Sequence, residues 1–167
     1  GGIVLFGIGK AVLPELLLAG KEGVAVVRVE GPILDSHQTV AELKAFAEDP
    51  LVKAIVVRID SPGGGVAPSQ EIYNAVKRVR KEKNKTVIAS MGTVAASGGY
   101  YIAVATDRIL ANPGTLTGSI GVIMQLANFQ ELLEKIGVKN VVIKSGKFKD
   151  IGSPFRPMQD EDRKLLQ

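Results

Sequence analysis

From residue 24 onward, short β-branched runs alternate with stretches of helical spacing, and this alternation restricts the chain to an α/β architecture with mostly parallel strands. The strand runs are VAVVRV at 24–29, AIVVRI at 54–59 and TVIAS at 86–90. A helix is expected over 39–48, with Val40, Leu43, Phe46 and Ala47 on one face and Ser36 as its cap. A second, from about 68 to 83, carries Ile72, Ala75, Val76 and Val79 as its apolar stripe and ends in basic residues, which suit the negative end of a helix dipole. A small-residue helix follows at 100–105. Short strands are expected at 108–111, 119–124 and 141–144. Asn128-x-x-Glu131 opens a further helix that Gly137 closes, and the segment from Gln159 opens as a helix, acidic first and basic later. The length of 167 residues is that of one domain with one core, and no internal repeat interrupts it.

Composition then removes whole classes of chemistry. Cysteine is absent, which excludes disulfide frameworks, thiol nucleophiles and thiolate metal sites. The one histidine, His37, lies in a polar loop before a helix, so any Ser-His-Asp triad depends on it alone. No cofactor and no metal are expected. The formal charge of +4 is a mild excess, and with 5% aromatic residues and no Trp it does not indicate nucleic-acid binding.

In alternating α/β folds, sites gather at the carboxyl ends of strands. Two such ends here are glycine-rich. Gly63-Gly64-Gly65 follows Asp60-Ser61-Pro62 and allows a backbone to approach a ligand closely with its N–H groups turned toward it. A phosphate loop would need G-x-x-x-x-G-K-[ST], and Val66-Ala67-Pro68 follows instead. A plain tight turn is the other reading. The second end is Ala95-Ala96-Ser97-Gly98-Gly99, where small neighbours leave the Ser97 hydroxyl accessible, although Ala95 breaks the G-x-S-x-G elbow. Ser97 is equally suited to capping the helix behind it.

A serine hydroxyl needs a base to become a nucleophile. Without a triad, a Ser-Lys dyad is the remaining option. A lysine amine, with an ordinary pKa of about 10.4, serves as a base at neutral pH only where burial keeps it uncharged, at a cost of roughly 4 kcal/mol. The candidates lie in Lys144-Ser145-Gly146-Lys147-Phe148-Lys149-Asp150-Ile151. Lys149 has the apolar neighbours Phe148 and Ile151 to help bury it, whereas Asp150 would hold it charged; composition does not choose among these lysines.

Four ordered blocks resemble the signal peptide peptidase A family of serine proteases, in its short bacterial form with a single repeat. They are Asp60-Ser61-Pro62-Gly63-Gly64, Ala96-Ser97-Gly98-Gly99-Tyr100-Tyr101, Thr117-Gly118-Ser119-Ile120-Gly121-Val122, and the stretch from Ser145 to Ser153. The resemblance covers roughly residues 23 to 167. It implies a Clp protease/crotonase-like α/β fold, a spiral of ββα units, and a serine endopeptidase that degrades cleaved signal peptides and other small apolar peptides. It places the nucleophile at Ser97 and the general base at Lys149. It assigns the oxyanion donors to the backbone N–H groups of Gly64 and Gly98, and the residue orienting the lysine to Ser119. It also implies a homo-oligomer at the cell membrane, held by a single-pass N-terminal anchor with the catalytic domain on the extracytoplasmic side.

Residues 1–22 are accordingly expected to be a membrane-proximal segment or linker, and 23–167 a catalytic domain that continues past Gln167. The apolar start is interrupted by Lys10, Pro14 and Glu15, so it reads either as the trailing end of an anchor or as an amphipathic surface segment. Two other functions fit parts of the pattern. A crotonase-type acyl-CoA hydratase or isomerase would also use a backbone oxyanion pair, but it has no use for an exposed serine. An inactive scaffold of the same fold would use neither. A Clp-type peptidase needs a histidine some 25 residues after its serine, where this chain has Val122, Ile123, Met124 and Gln125.

Overall fold

In a computed structural model, residues 4–7 and 22–167 are described. The chain divides into two compact units, one ending at Val122 and one running from Ile123 to Gln167.

The first unit is built on a parallel sheet. Its strands β1 (Val4–Gly7), β2 (Gly23–Glu30), β3 (Val52–Ser61), β4 (Thr86–Ala96) and β5 (Arg108–Leu110) lie side by side in chain order, and β6 (Leu116–Gly118) also pairs with β4. Every pairing is parallel. β4 is long enough to pair Ile88–Ser90 with β5 and Val94–Ala96 with β6. The helices α1 (His37–Glu48), α2 (Val66–Glu82) and α3 (Gly98–Ala103) connect the strands.

The period-two pattern of the strands decides where the core sits. Ala25, Val27 and Val29 of β2, Ile55, Val57 and Ile59 of β3, and Val87, Ala89 and Met91 of β4 are all buried, as alternate residues on one face must be. They form one cluster with Leu43 and Phe46 of α1, the Ile72, Ala75, Val76 and Val79 stripe of α2, and Ile102 of α3. Each large aliphatic side chain buried there contributes about 1.5–3 kcal/mol. Polar braces tie the elements at the edge. Arg80 donates from Nε to Asp107 at 2.7 Å and from its guanidinium to the Ala105 carbonyl at 2.6 Å, and Asp107 accepts the Val87 N–H at 2.8 Å. The Val87 N–H first, and the Arg80 guanidinium after it, hold the Asp107 carboxyl below its ordinary pKa against the opposing effect of burial.

Several expectations need correction. β4 runs on to Ala96, well past Ser90, because Gly92 and Thr93 lie within a bulge that period-two patterning does not reveal. Residues 119–124 and 141–144 form no strand; β6 ends at Gly118, and no described strand pairs with either stretch, so their β-branched residues stand exposed. Ser36 occupies the N-cap of α1, yet its hydroxyl donates to Glu71 instead of capping the helix.

The expected membrane location is also overturned. No helix among the described residues is long and apolar enough to cross a membrane. Of the segment expected to be membrane-proximal or a linker, Val4–Gly7 pairs in parallel with β2, and 8–21 lie outside the described residues.

The second unit carries α4 (Gln130–Lys135) and α5 (Asp160–Leu166). At the start of α4, Asn128 Oδ1 accepts the Gln130 N–H at 2.9 Å. α5 opens with a capping box in which Gln159 and Asp162 satisfy each other's backbone N–H groups.

Candidate active site

The candidate residues of the first unit come together where β3 and β4 end. Their register shifts just before that point: β3 advances from Ile59 to Ser61 while β4 advances from Met91 to Ala95. The Asp60 carboxylate fills the resulting irregularity and accepts the Val94 N–H at 3.0 Å. Gly92 is required there, since a Cβ on it would lie 2.7 Å from Asp60 Cγ.

Ser97 follows directly. Its backbone has φ 50° and ψ −118°, a conformation that L side chains rarely adopt and that costs about 1–3 kcal/mol. Two backbone bonds hold it: its N–H donates to the Gly118 carbonyl at 2.8 Å, and its carbonyl accepts the Tyr101 N–H at 2.8 Å. Ser97 is thus the N-cap residue of α3, but its side chain makes no capping hydrogen bond. The two readings of this serine therefore separate: the backbone caps the helix, and the hydroxyl is left for other work.

The triple glycine packs against this turn. A Cβ on Gly63, whose φ is +98°, would lie 2.8 Å from both Ser97 Cβ and Gly98 N. Along the triplet the N–H groups are used alternately. Gly63 donates to the buried Ser61 hydroxyl at 3.1 Å and Gly65 donates to the Ile33 carbonyl at 2.8 Å. Among the described residues no acceptor takes the Gly64 N–H. Gly98 is the first residue of α3, so its N–H has no partner within the helix. The N–H groups of Gly64 and Gly98 are thus among those that the secondary structure leaves without a partner, as are those of Gly99 and Tyr100 in the first turn of α3.

Ser69, which the sequence reading missed, touches both turns. It is 3% exposed and its hydroxyl donates to the Gly65 carbonyl at 2.7 Å. The same oxygen lies 2.3 Å from where a Gly98 Cβ would begin. A buried serine one helical turn after a glycine run was the available signal. Ser119 also belongs to this end of the sheet. Ala96 pairs with Gly118, so Ser97 and Ser119 each stand one residue beyond a paired position on adjacent strands. Ser119 is exposed and has φ 52°. His37 is exposed, and its backbone N–H donates to Asp35 at 3.1 Å.

In the second unit, the lysines that the sequence left undecided differ in their partners. Lys144 Nζ donates to Asp150 Oδ1 at 2.8 Å and to the Lys147 carbonyl at 3.0 Å. Lys147 pairs with Glu161 and lies over the Phe148 ring, 5.5 Å from its centre. The Lys149 amine has neither an ion pair nor a hydrogen bond among the described residues. Lys149 is exposed and Ile151 is half-buried, so the expected shelter beside Phe148 and Ile151 is not formed within this unit.

Asp150 does not turn to its neighbour. Arg156 donates to it from Nε at 3.0 Å and from a terminal nitrogen at 3.1 Å, alongside Lys144. The Arg156 hydrogen bonds come first, and Lys144 second, in holding the Asp150 carboxyl at about 2. Arg156 also donates to Asp162, a carboxylate 3% exposed that accepts the Gln159 N–H at 3.1 Å. No group of three or more His, Cys, Asp or Glu suited to a metal ion occurs among the described residues.

Comparison with known proteins bears on both units. The model of Peptidase family S49 matches residues 79–167, and that of Clp protease matches residues 25–115. The Synechocystis protein slr0021, named as a protease, is 48% identical over 149 residues, covering 88% of this chain and 53% of its own length. A chloroplastic serine protease of Arabidopsis thaliana, SPPA, is 36% identical over 165 residues, 90% of this chain and 24% of that one. The chain thus spans about half the length of the first relative and about a quarter of the second. Among solved structures, the membrane-bound stomatin-specific protease 1510-N superposes with a TM-score of 0.53 and 24% identity over 65% of this chain and 52% of that chain. With the parallel sheet, these matches give a Clp protease/crotonase-like α/β fold.

Proposed function

The chain belongs to peptidase family S49, and from that premise we propose that it is a serine peptidase that cleaves peptide bonds with a Ser97–Lys149 dyad. The observation that carries this reading is the Ser97 turn, where a strained backbone is kept while the hydroxyl is spared from capping.

In the proposed reaction, the uncharged Lys149 amine takes the proton from the Ser97 hydroxyl as its oxygen bonds to the scissile carbonyl carbon. The carbonyl π pair moves onto oxygen, and the Gly64 and Gly98 N–H groups hold that oxyanion, each donor worth about 3 kcal/mol. The C–N bond then breaks, and the departing amine takes the proton back from Lys149. Water repeats the sequence on the acyl-enzyme, releasing a carboxylic acid and the free serine. Ser119 acts by orienting the lysine amine. The support is that, among the described residues, the Lys149 amine has no partner while Lys144 and Lys147 are engaged.

The substrate class is the one the resemblance implies: cleaved signal peptides and other small apolar peptides. The homo-oligomer is supported by exposed apolar side chains, among them Ile120, Val122, Ile123, Val141 and Ile143. An acyl-CoA hydratase or an inert scaffold has no role for the spared hydroxyl. A fluorophosphonate probe should label the wild-type chain and fail on Ser97→Ala. Lys149→Arg, which stays charged, should fold and be inactive. Labelling of Ser97→Ala at the wild-type level, or a fully active Lys149→Arg, would end this reading.

A further inference from the structure

We infer that Arg156 is a positioning residue for the dyad, taking up the Asp150 carboxylate so that the acid next to Lys149 in the chain does not hold the Lys149 amine charged. The inference rests on the proposed role of Lys149 as base.

The geometry is a chain of ion pairs, Lys144–Asp150–Arg156–Asp162, that starts from one turn. That turn is fixed by backbone bonds from Lys149 N–H to the Gly146 carbonyl at 3.3 Å and from Ile151 N–H to the Phe148 carbonyl at 3.1 Å. Both Asp150 oxygens are occupied: Oδ1 by Lys144 and Arg156, Oδ2 by Arg156. Arg156 is anchored from the far side by Asp162, which the α5 capping box fixes in turn. The charged groups gathered here are Lys144, Lys147, Asp150 and Arg156 on the loop, with Glu161 and Asp162 on α5. Lys147 and Glu161 neutralise each other, and so do Lys144 and Arg156 against Asp150 and Asp162. The remaining charges of α5 are Asp160, Arg163 and Lys164.

Removing one cation leaves this cluster, whose Asp150 adjoins Lys149 in the chain, with net charge −1, which favours the protonated amine. Removing Asp150 leaves it at +1, which favours the free amine. A bidentate guanidinium is suited to the task because it occupies both carboxylate oxygens in one plane.

The test is a cycle of variants in the full chain, read as the pH dependence of kcat/KM on a fluorogenic peptide with small apolar side chains. Arg156→Gln should move the acidic limb of the profile to higher pH by about half to one unit. Asp150→Asn should move it to lower pH by a similar amount. The double variant should return it to the wild-type position. A purely structural role for Arg156 would lower activity at every pH without moving the limb, and the double variant would do no better than the single ones. If Arg156→Gln does not fold, Asp150→Asn decides: a limb that stays put or moves upward overturns the inference. Lys149→Ala separates the two levels. Its inactivity together with an unmoved limb in the cycle rejects the role of Arg156 alone, and its full activity rejects the dyad.

Discussion

The Ser69 hydroxyl occupies the space from which a Gly98 side chain would grow, 2.3 Å from the ideal Cβ position. One buried oxygen therefore fixes how close α2 lies to the first turn of α3. Gly98→Ala should lower stability by about 1–3 kcal/mol in chemical denaturation. Adding Ser69→Ala should recover part of that loss, since the remaining Cβ is 3.2 Å away and has to give only slightly. Equal stability of the single and double variants would contradict this contact.

Gly64 presents the opposite case. A Cβ there would lie 2.3 Å from the Ile33 carbonyl oxygen and 2.6 Å from its nitrogen, both backbone atoms. Trimming the Ile33 side chain cannot help. Gly64→Ala should be destabilised by about 3 kcal/mol, and Ile33→Ala should add to the loss instead of relieving it, as thermal unfolding of the three variants would show.

The strain at Ser97 sets stability against activity. Position 97 has a φ that glycine tolerates and other residues do not. Ser97→Gly and Ser97→Ala should both be inactive, with the glycine variant more stable than the alanine variant by about 1–2 kcal/mol. Matching urea midpoints for the two would mean that the turn carries no strain.

Acid should loosen the second unit. The Asp150 carboxyl, held at about 2 chiefly by Arg156, has a lower pKa folded than unfolded. Such a group contributes stability fully above its ordinary pKa near 3.8, and that contribution is lost as pH falls from there toward 2. Asp162, lowered by Arg156 and by the Gln159 N–H, acts in the same direction. Unfolding followed by circular dichroism between pH 5 and 2, about the range over which these carboxyls titrate, should show a shallower decline in Asp150→Asn than in the wild type.

Ile143, 98% exposed, tests assembly. Ile143→Glu should lower the sedimentation coefficient of an oligomer that buries it and leave the fold of each chain intact. An unchanged coefficient would remove this residue from the interface.

The sheet was legible because strands buried on one face write their period into the sequence. Ala25, Val27 and Val29, and Ile55, Val57 and Ile59, could be read directly. The bulge at Gly92 could not, because the carboxylate that fills it comes from β3. The apolar runs at 119–124 and 141–144 mislead for a related reason: β-branched residues record that a surface is apolar, and they do not specify a partner strand. The site divides along the same line. Glycine and serine at strand ends point to the Ser97 turn, but the choice between capping and free hydroxyl depends on hydrogen-bond geometry. The lysines are distinguished only by partners such as Glu161, well outside the motif.

The alternation of used and unused amides along the glycine triplet makes the chain its own reporter. Gly64 should exchange its amide proton with solvent quickly between two slow neighbours, Gly63 and Gly65. A single backbone resonance in a nitrogen-edited NMR spectrum would then register when an acceptor reaches the Gly64 N–H, with no probe attached.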